Sequence, residues 1–390
     1  MNLAYSAPLR RKLDPASWAF LVVAFLTGTA SALQVPILSL FLGNELGVRP
    51  YMIGLFYTVS AIAGIVVSQV LAHRSDHGGD RRRLIVFCCL AGCLGCLQFA
   101  FDRHFALLIS AGVLLGSFGG TANPQVFALA REHADYTARE ATLFNSIMRA
   151  QVSLAWVIGP PLAFALVIGL GFTATYLAAG LAFLACAALV ARTLPFIPRT
   201  PRANDAGGGW RDPAIRLPFI ASTLMWTCNG MYLIVMPLYV THTLGLPART
   251  PGVLMGTAAG LEIPAMLIAG YSTHRFGKLA MLRVATGAGV LFYAGMALLD
   301  SELALITLQL GNAIFIGIIA GTGMLYFQDL MPGRAGTATT LFATSTRTGS
   351  IIAGGIAGGI AEAWGFHAVF YAILACSLLA WACSFLMHER

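Results

Sequence analysis

The sequence predicts an all-α membrane protein with twelve membrane-spanning helices arranged as two six-helix halves. Three observations support this fold class: the composition, the spacing of apolar runs, and an internal repeat. Of the 390 residues, 58% are hydrophobic and only 10% are charged, and the mean hydropathy is +0.77. Because a soluble chain of this length carries far more charge on its surface, the composition indicates a protein embedded in a bilayer.

Apolar runs long enough to cross a bilayer, which takes about 20 helical residues, follow one another along the chain. The first run has a basic start and a small-residue Ala30-Ser31-Ala32, as a cleavable signal peptide would. It continues to Leu42, which is too long for the apolar core of a signal peptide, so we expect it to remain as the first span. The twelve predicted spans are 17–42, 51–72, 84–101, 105–130, 141–168, 172–193, 214–240, 251–272, 279–299, 303–328, 338–362 and 366–387.

The distribution of basic residues predicts the orientation of these spans. With the N-terminus placed in the cytoplasm, nineteen of the 24 Lys and Arg residues fall in cytoplasmic segments and three fall in outer loops. The other two, Arg149 and Arg347, lie within spans. This asymmetry follows the positive-inside rule and predicts that both termini are cytoplasmic. The net charge of +8 is therefore explained by topology and contact with anionic lipids, and it implies no nucleic-acid partner.

The chain repeats itself at a shift of 198 residues. "TLFNSIMRAQ" at 142–151 aligns with "TLFATSTRTG" at 340–349, which places Arg149 on Arg347. Six spans in each copy, with the same orientation, predict two parallel repeats about an axis along the membrane normal. We expect an N-terminal half over 1–193, a Pro- and Gly-rich cytoplasmic linker over 194–213, and a C-terminal half over 214–390.

A second repeated element follows the second span of each half. The copies are "LAHRSDHGGDRRRL" at 71–84 and "AGYSTHRFGKLA" at 269–280. Both resemble the loop signature of the major facilitator superfamily, Gly-x-x-x-Asp-Arg-x-Gly-Arg-Arg, although His77 replaces its first arginine and His274 replaces the aspartate of the second copy. The resemblance implies the major facilitator fold and a conformational latch between the halves, formed by Asp76, Gly79, Arg81 and Arg82. A tight turn with basic membrane anchors is the alternative.

Five further stretches show a narrower resemblance. They are "GTASALQVPILSLFL", "TANPQVFALAREHAD", "RAQVSLAWVIGPPLA", "MGTAAGLEIPAMLIAGY" and "GMLYFQDLMPGRAGTATTLF", and they look like the bacterial sugar efflux transporter family within that superfamily. The resemblance implies export of small sugars such as lactose, glucose and thiogalactosides across the inner membrane, by alternating access and in exchange for protons. An exporter of a drug or another small metabolite, with the same fold, is the alternative.

Polar residues inside spans are candidates for substrate binding, because each is costly unless it faces the bundle interior or a water-filled cavity. The resemblance implies that spans one, four, seven and ten line the central cavity. Amides, hydroxyls and aromatic rings suit a neutral sugar, whereas bonds between helices are the alternative role. The candidates are Gln34, Asn123, Gln125, Trp226, Asn229, Tyr232, Asn312, Tyr326 and Gln328.

Three charged residues within spans complete the predicted site. Glu262 is a carboxylate near the middle of the eighth span and could take up and release a proton, or pair with Arg149 on the fifth span. We therefore assign Glu262 and Arg149 to proton coupling, with a static ion pair as the alternative. Arg347 has no acidic partner on the second span, so we assign it to the sugar or to a water-filled cavity.

Other features point away from enzymes and cofactors. The chain has no phosphate-binding loop, and its histidines and carboxylates are scattered over loops, so we expect neither an ATP-driven pump nor an enzyme. Cys88, Cys89, Cys93 and Cys96 lie within one span and are interpreted as small apolar residues, so we expect no metal and no cofactor. We expect a monomer whose partners are sugar, protons and lipid. The prolines of Gly159-Pro160-Pro161 could kink the fifth span.

Overall fold

The fold is helical throughout the part of the chain that the structure describes. The structure is a computed structural model, and it describes residues 15–76, 80–137, 141–197, 213–331 and 334–387. Ten helices in these ranges are long and apolar enough to cross a membrane. They are α1 (Pro15–Glu45), α2 (Pro50–Asp76), α3 (Arg81–Phe101), α4 (Phe105–Ala134), α5 (Ala141–Thr193), α6 (Ile215–Thr243), α7 (Thr250–Phe276), α8 (Lys278–Leu298), α9 (Glu302–Leu330) and α10 (Ala335–Phe385).

Two of these helices are too long for one crossing. α5 has 53 residues, which would make a straight helix about 80 Å long against a hydrocarbon core of about 30 Å. The helical geometry breaks at Gly171 (φ 82°, ψ 173°) in α5 and at Gly365 (φ 84°, ψ 169°) in α10. Only glycine adopts such dihedral angles without a steric penalty. Each break lies between two predicted spans, so α5 contains predicted spans five and six, and α10 contains eleven and twelve.

The repeat seen in the sequence recurs in the backbone. The ends of α1 and α6 widen into π-helical turns, Phe41–Glu45 and Tyr239–Thr243, and a left-handed glycine follows each turn. Matching 3.0 Å hydrogen bonds run from Val48 N to Leu42 O and from Leu246 N to Val240 O. The predicted boundaries of the halves remain predictions. α5 ends at Thr193, the next helical segment begins at Pro213, and 198–212 lie outside the described residues.

The two halves pack closely at one end of the helices. We call the end where α5 terminates and α6 begins the linker side, and the opposite end the far side. Near the far side, a methyl group added to Gly54 of α2 would lie 2.2 Å from Gly354 O of α10. At the second interface, a methyl group on Gly256 of α7 would lie 2.5 Å from Pro161 Cγ of α5. The glycines have no side chain, so α2 meets α10 backbone to backbone at Gly54, and the α7 backbone at Gly256 meets the ring of Pro161.

Toward the linker side the halves separate. Hydrogen bonds and ion pairs that join two described residues there stay within one half, as between Arg81 Nη2 and Glu132 Oε1 at 3.1 Å and between Lys278 and Asp329. Across the halves, Thr58 Oγ1 donates to Ile351 O at 3.0 Å, and Tyr51 N donates to a Glu362 carboxylate oxygen at 3.4 Å. Both of these bonds lie toward the far side. A methyl group added to Gly260, one turn beyond Gly256 toward the linker side, would meet no atom within 4 Å, so the described parts of the halves pack closely at the far side and less closely beyond it.

A larger side chain at Gly54 is expected to shift the balance between the closed and open far side. In Gly54→Leu the new side chain would collide with the α10 backbone, and overpacking of about 1–3 kcal/mol should favour separation of the helices there. A reporter cysteine at Thr58 should then react about tenfold faster with a membrane-impermeant maleimide added on the far side. Gly359→Leu is the matched control, because a methyl group there meets no atom within 4 Å. Equal labelling rates in both variants would contradict the proposed closure.

Candidate functional site

Three helices, α1, α2 and α4, each present one face to a cavity of about 500 Å³, and α10 supplies part of its wall. This volume is within the range of small-molecule sites, about 300–1,000 Å³. Its lining follows helical spacing, since residues three, four and seven apart share a face. α2 contributes Phe56, Ser60, Gly64 and Ser68, and α4 contributes Val113, Gly116, Ser117, Gly120, Thr121 and Pro124.

Hydroxyl groups and aromatic rings make up much of this lining. Ser117 Oγ donates to Val113 O at 2.7 Å and Thr121 Oγ1 donates to Ser117 O at 2.9 Å, so each hydroxyl oxygen keeps lone pairs that can accept hydrogen bonds. Among the described residues, no carboxylate lines the cavity. The remaining hydroxyls are those of Ser31, Ser60, Ser68 and Ser350, and the rings are those of Phe56, Phe99, Tyr176 and Phe183.

Gln34 and Arg347 are the predicted substrate-binding residues that line this cavity. Gln34 Nε2 donates to Ala30 O at 2.8 Å, which leaves the side-chain carbonyl oxygen as an acceptor. A short 3-10 segment containing Pro36 follows directly and turns the end of α1 at this point. Arg347 is half-buried and forms no hydrogen bond or ion pair with any described residue. It is the single charged side chain of the described lining, and it comes from the opposite half.

The structure places Gln125 and Arg81 together, away from the cavity. Gln125 is buried and its Oε1 accepts hydrogen bonds from Arg81 Nη1 and, at 3.4 Å, from Ser75 Oγ. A guanidinium buried at the start of α3 needs acceptors, and Gln125 and Glu132 supply them within the same half. Arg82 donates its backbone N–H to Asp80, which caps α3. Gln125 therefore lies outside the cavity lining, and the latch assigned to Arg81 and Arg82 remains a prediction.

Tyr232 and Asn312 also lie away from the cavity. Tyr232 OH donates to Gln309 Oε1 at 3.4 Å, and Asn312 Nδ2 donates to the same oxygen at 3.1 Å. All three side chains are buried between α6 and α9. The Tyr232 bond joins α6 to α9, which is the interhelical alternative for that residue, whereas the Asn312 bond lies within α9. Sequence reasoning missed Gln309, although it lies one helical turn before Asn312.

The other predicted substrate-binding residues have partners or surroundings of their own. Asn123 Nδ2 donates to Thr27 Oγ1 and Gln328 Nε2 donates to Thr339 Oγ1, each at 3.0 Å. Tyr326 is buried against a small separate cavity of about 40 Å³. Trp226 packs edge-on against Phe342, and Asn229 is half-buried on α6 outside the cavity lining. The side chain of Asp76, the side chain of His274 and the whole of Gly79 lie outside the described residues.

Glu262 and Arg149 do not form, in this arrangement, the static ion pair that was the alternative to proton coupling. Glu262 is half-buried on α7, Arg149 is exposed on α5, and neither pairs with another described residue. The physical reason is the separation of the halves. α5 and α7 touch at Pro161 and Gly256, whereas Glu262 lies about 9 Å and Arg149 about 18 Å farther toward the linker side along their helices.

Residues 20–346 and 219–390 match the Major Facilitator Superfamily. The chain is 57% identical to "Sugar efflux transporter A" of Dickeya chrysanthemi, covering 98% of both chains. It is 56% identical to "Sugar efflux transporter A" of Escherichia coli K12, over 95% of this chain and 96% of that protein, and 49% identical to "Sugar efflux transporter C" of the same strain, over 95% of each.

Solved structures share the fold at low sequence identity. The nucleoside transporter NupG superposes with a TM-score of 0.83 at 12% identity, covering 96% of this chain and 99% of its own. A bacterial homologue of the iron transporter ferroportin, in an inward-facing state, gives 0.75 at 16% identity, covering 97% and 100%. The matching relatives are transporters, so this protein is a multi-pass membrane transporter and not an enzyme. The chain belongs to the sugar efflux transporter family of the Major Facilitator Superfamily.

Proposed function

We propose that this protein exports small neutral sugars, such as lactose, glucose and thiogalactosides, across the bacterial inner membrane. The main support for this proposal is the cavity between α1, α2, α4 and α10. It offers hydroxyl groups, the Gln34 amide and the Arg347 guanidinium as hydrogen-bond partners, with aromatic rings for the C–H faces of a sugar ring. The relatives that share about half of the residues are named sugar efflux transporters, which supports the same substrate class here.

In this proposal, transport proceeds by alternating access, and the chain crosses the membrane twelve times. In this proposal, α5 and α10 each cross twice, with reversals at Gly171 and Gly365. The halves 1–193 and 214–390, joined by the linker 194–213, rock about a substrate site near the bilayer midplane. The positive-inside rule places both termini and the linker side in the cytoplasm. The observed arrangement is then inward-facing, and it would load sugar from the cytoplasm into a cavity that one chain forms alone, as a monomer.

Arg347 connects sugar binding to the movement of the halves. It reaches from α10 into a cavity whose other walls belong mainly to the N-terminal half. A sugar hydroxyl bound to Arg347 and to Gln34 or Ser60 would bridge the two halves. A ligand shifts a conformational equilibrium only when it binds the two conformations differently, and such a bridging contact supplies that difference.

Proton coupling is assigned to Glu262 together with Arg149. Glu262 lies near the middle of α7, where a carboxyl group is functional by default. The asymmetry of the two arginines is part of this proposal: Arg149 is linked to proton coupling, and Arg347 to sugar.

The loop motif keeps its proposed role as a cytoplasmic latch. Asp76, Gly79 and the basic run at 81–82 would form this latch in the arrangement where the linker side is closed.

Export of a drug or another metabolite is the second candidate function. The absence of carboxylates from the described cavity lining argues against an exporter of cations, which favours a negative wall. Direct transport measurements distinguish the export of sugars from the export of other neutral substrates.

Sugar export is expected to need a pH gradient and no ATP. Inverted membrane vesicles containing the protein should accumulate radiolabelled lactose when their lumen is acidic, because protons leaving the lumen drive sugar in. Dissipating the gradient should reduce the initial rate about tenfold or more. Vesicles without the protein provide the baseline. Accumulation that needs ATP, or that is seen for a drug and not for any sugar, would contradict the proposal.

Loss of the Arg347 guanidinium is expected to weaken sugar binding. Hydrogen bonds to charged groups contribute about 1.5–3 kcal/mol, so Arg347→Ala should raise KM for lactose about tenfold or more. Arg347→Lys should recover part of the loss, because it restores one charged donor. Arg131→Ala, at an exposed position of α4 outside the cavity lining, is the control. If KM is unchanged in Arg347→Ala at normal protein levels, Arg347 does not bind the sugar.

Neutralising Glu262 is expected to uncouple transport from protons. Glu262→Gln should abolish lactose accumulation driven by a pH gradient, while exchange of labelled for unlabelled sugar continues, because the amide cannot release a proton. Asp300→Asn, an exposed carboxylate at the far side, is the matched control. If the accumulation driven by the pH gradient stays at the wild-type level in Glu262→Gln, another group carries the proton.

A further inference from the structure

Three glycines form an open recess in the wall of the cavity. A methyl group added to Gly64 of α2, or to Gly116 or Gly120 of α4, would meet no atom within 4 Å. All three residues line the cavity. Gly116 and Gly120 are one helical turn apart, so they lie on one face of α4.

Close packing does not account for these glycines. The neighbouring Gly119 shows what packing requires: a methyl group there would lie 2.7 Å from Gly92 Cα and 3.1 Å from the Phe183 ring. Gly112 is similarly restricted, since a methyl group would lie 3.2 Å from the Phe99 ring. The chain therefore alternates between a packed glycine at 119 and an open one at 120.

Backbone conformation does not account for them either. The described glycines with positive φ are 47, 171, 245, 277 and 365, so Gly64, Gly116 and Gly120 adopt angles that other residues also adopt. Glycine is among the least favourable residues in a helix interior. The clear structural consequence of glycine at these three positions is free space inside the cavity.

The recess has the chemistry of a sugar subsite. Ser60 and Ser68 flank Gly64 one turn away on either side, and Ser117 and Thr121 directly follow Gly116 and Gly120, so hydroxyls surround the open space. The rings of Phe99, Tyr176 and Phe183 belong to the same lining. Hydroxyls at the rim and aromatic rings in the wall suit the polar edge and the C–H face of a sugar ring.

The three glycines of the recess all belong to the N-terminal half. The repeat shift of 198 residues carries Gly64 onto Glu262, so the corresponding position of the C-terminal half carries a long side chain. The cavity that forms between α6, α8, α9 and α10 has a volume of only about 40 Å³. The space available to a substrate therefore lies mainly beside α2 and α4.

Building on the proposed sugar export, we propose that Gly64, Gly116 and Gly120 determine the size of the sugar that this transporter accepts. One ring of a disaccharide lies near Gln34 and Arg347, and the second ring occupies the glycine recess. A monosaccharide needs only the first position. Side chains at the three glycines would fill the recess and exclude the second ring.

The test compares a disaccharide with a monosaccharide in the same vesicles. Gly120→Val and Gly116→Val should reduce the ratio of maximal rate to KM about tenfold or more for lactose, and by less than about threefold for glucose. Gly120→Ala should give a smaller loss for lactose, of about threefold. The Ala variant keeps the test decisive if a valine impairs folding.

Two control variants separate recess filling from general damage. Gly359→Val adds the same side chain at an open position of α10 outside the cavity, and it should leave the transport of both sugars unchanged. Gly119→Val should instead lower the amount of folded protein, because that position is packed. The Gly116 and Gly120 variants are compared at normal protein levels. If their transport of lactose and of glucose falls equally, or if neither falls, the size assignment is overturned. Failure of the wild-type protein to transport either sugar would overturn the proposed function itself.

Discussion

The contact between α2 and α10 at the far side is the constraint on which the rest of the arrangement depends. Gly54 meets Gly354 and Gly358 backbone to backbone, and Thr58 Oγ1 donates to Ile351 O at 3.0 Å. Arg347, Ser350, Gly354 and Gly358 are spaced three or four residues apart, so they share one face of α10. The same face that seals the far side therefore continues into the cavity and carries Arg347 to the N-terminal half. Separation of the halves toward the linker side then opens the cavity at that end.

The membrane also explains why so many polar residues turned out to bind other helices. Without water in the bilayer core, a buried amide or hydroxyl needs a partner from the protein. Gln125 satisfies the guanidinium of Arg81, and Gln309 accepts from both Tyr232 and Asn312. Such bonds hold each half together as a rigid body. Rigid halves are what a rocking movement about a midplane site requires.

The sequence predicted the fold well and the site only in part. Apolar runs, basic loops and the repeat predicted the helices, and the breaks at Gly171 and Gly365 fall between predicted spans. The site depends on which face of each helix meets which neighbour, and hydropathy does not encode that choice. Gln34 and Arg347 line the cavity, whereas other amides of the same chemical type do not. Serines and glycines line most of α2 and α4 there, and their small side chains give no distinctive sequence signal.

On the proposed assignment, the two repeated arginines have different roles because their partner helices differ. α10 is held against α2, which has no acidic residue in its span, so Arg347 stays available to a ligand. α5 faces α7, which carries Glu262. On the proposed mechanism, closing the linker side brings the segments around Arg149 and Glu262 together, and an ion pair between them would stabilise the closed state. A proton arriving from outside would neutralise Glu262 and release that pair. Proton entry would then favour reopening toward the cytoplasm, which is the direction of coupling that sugar export requires.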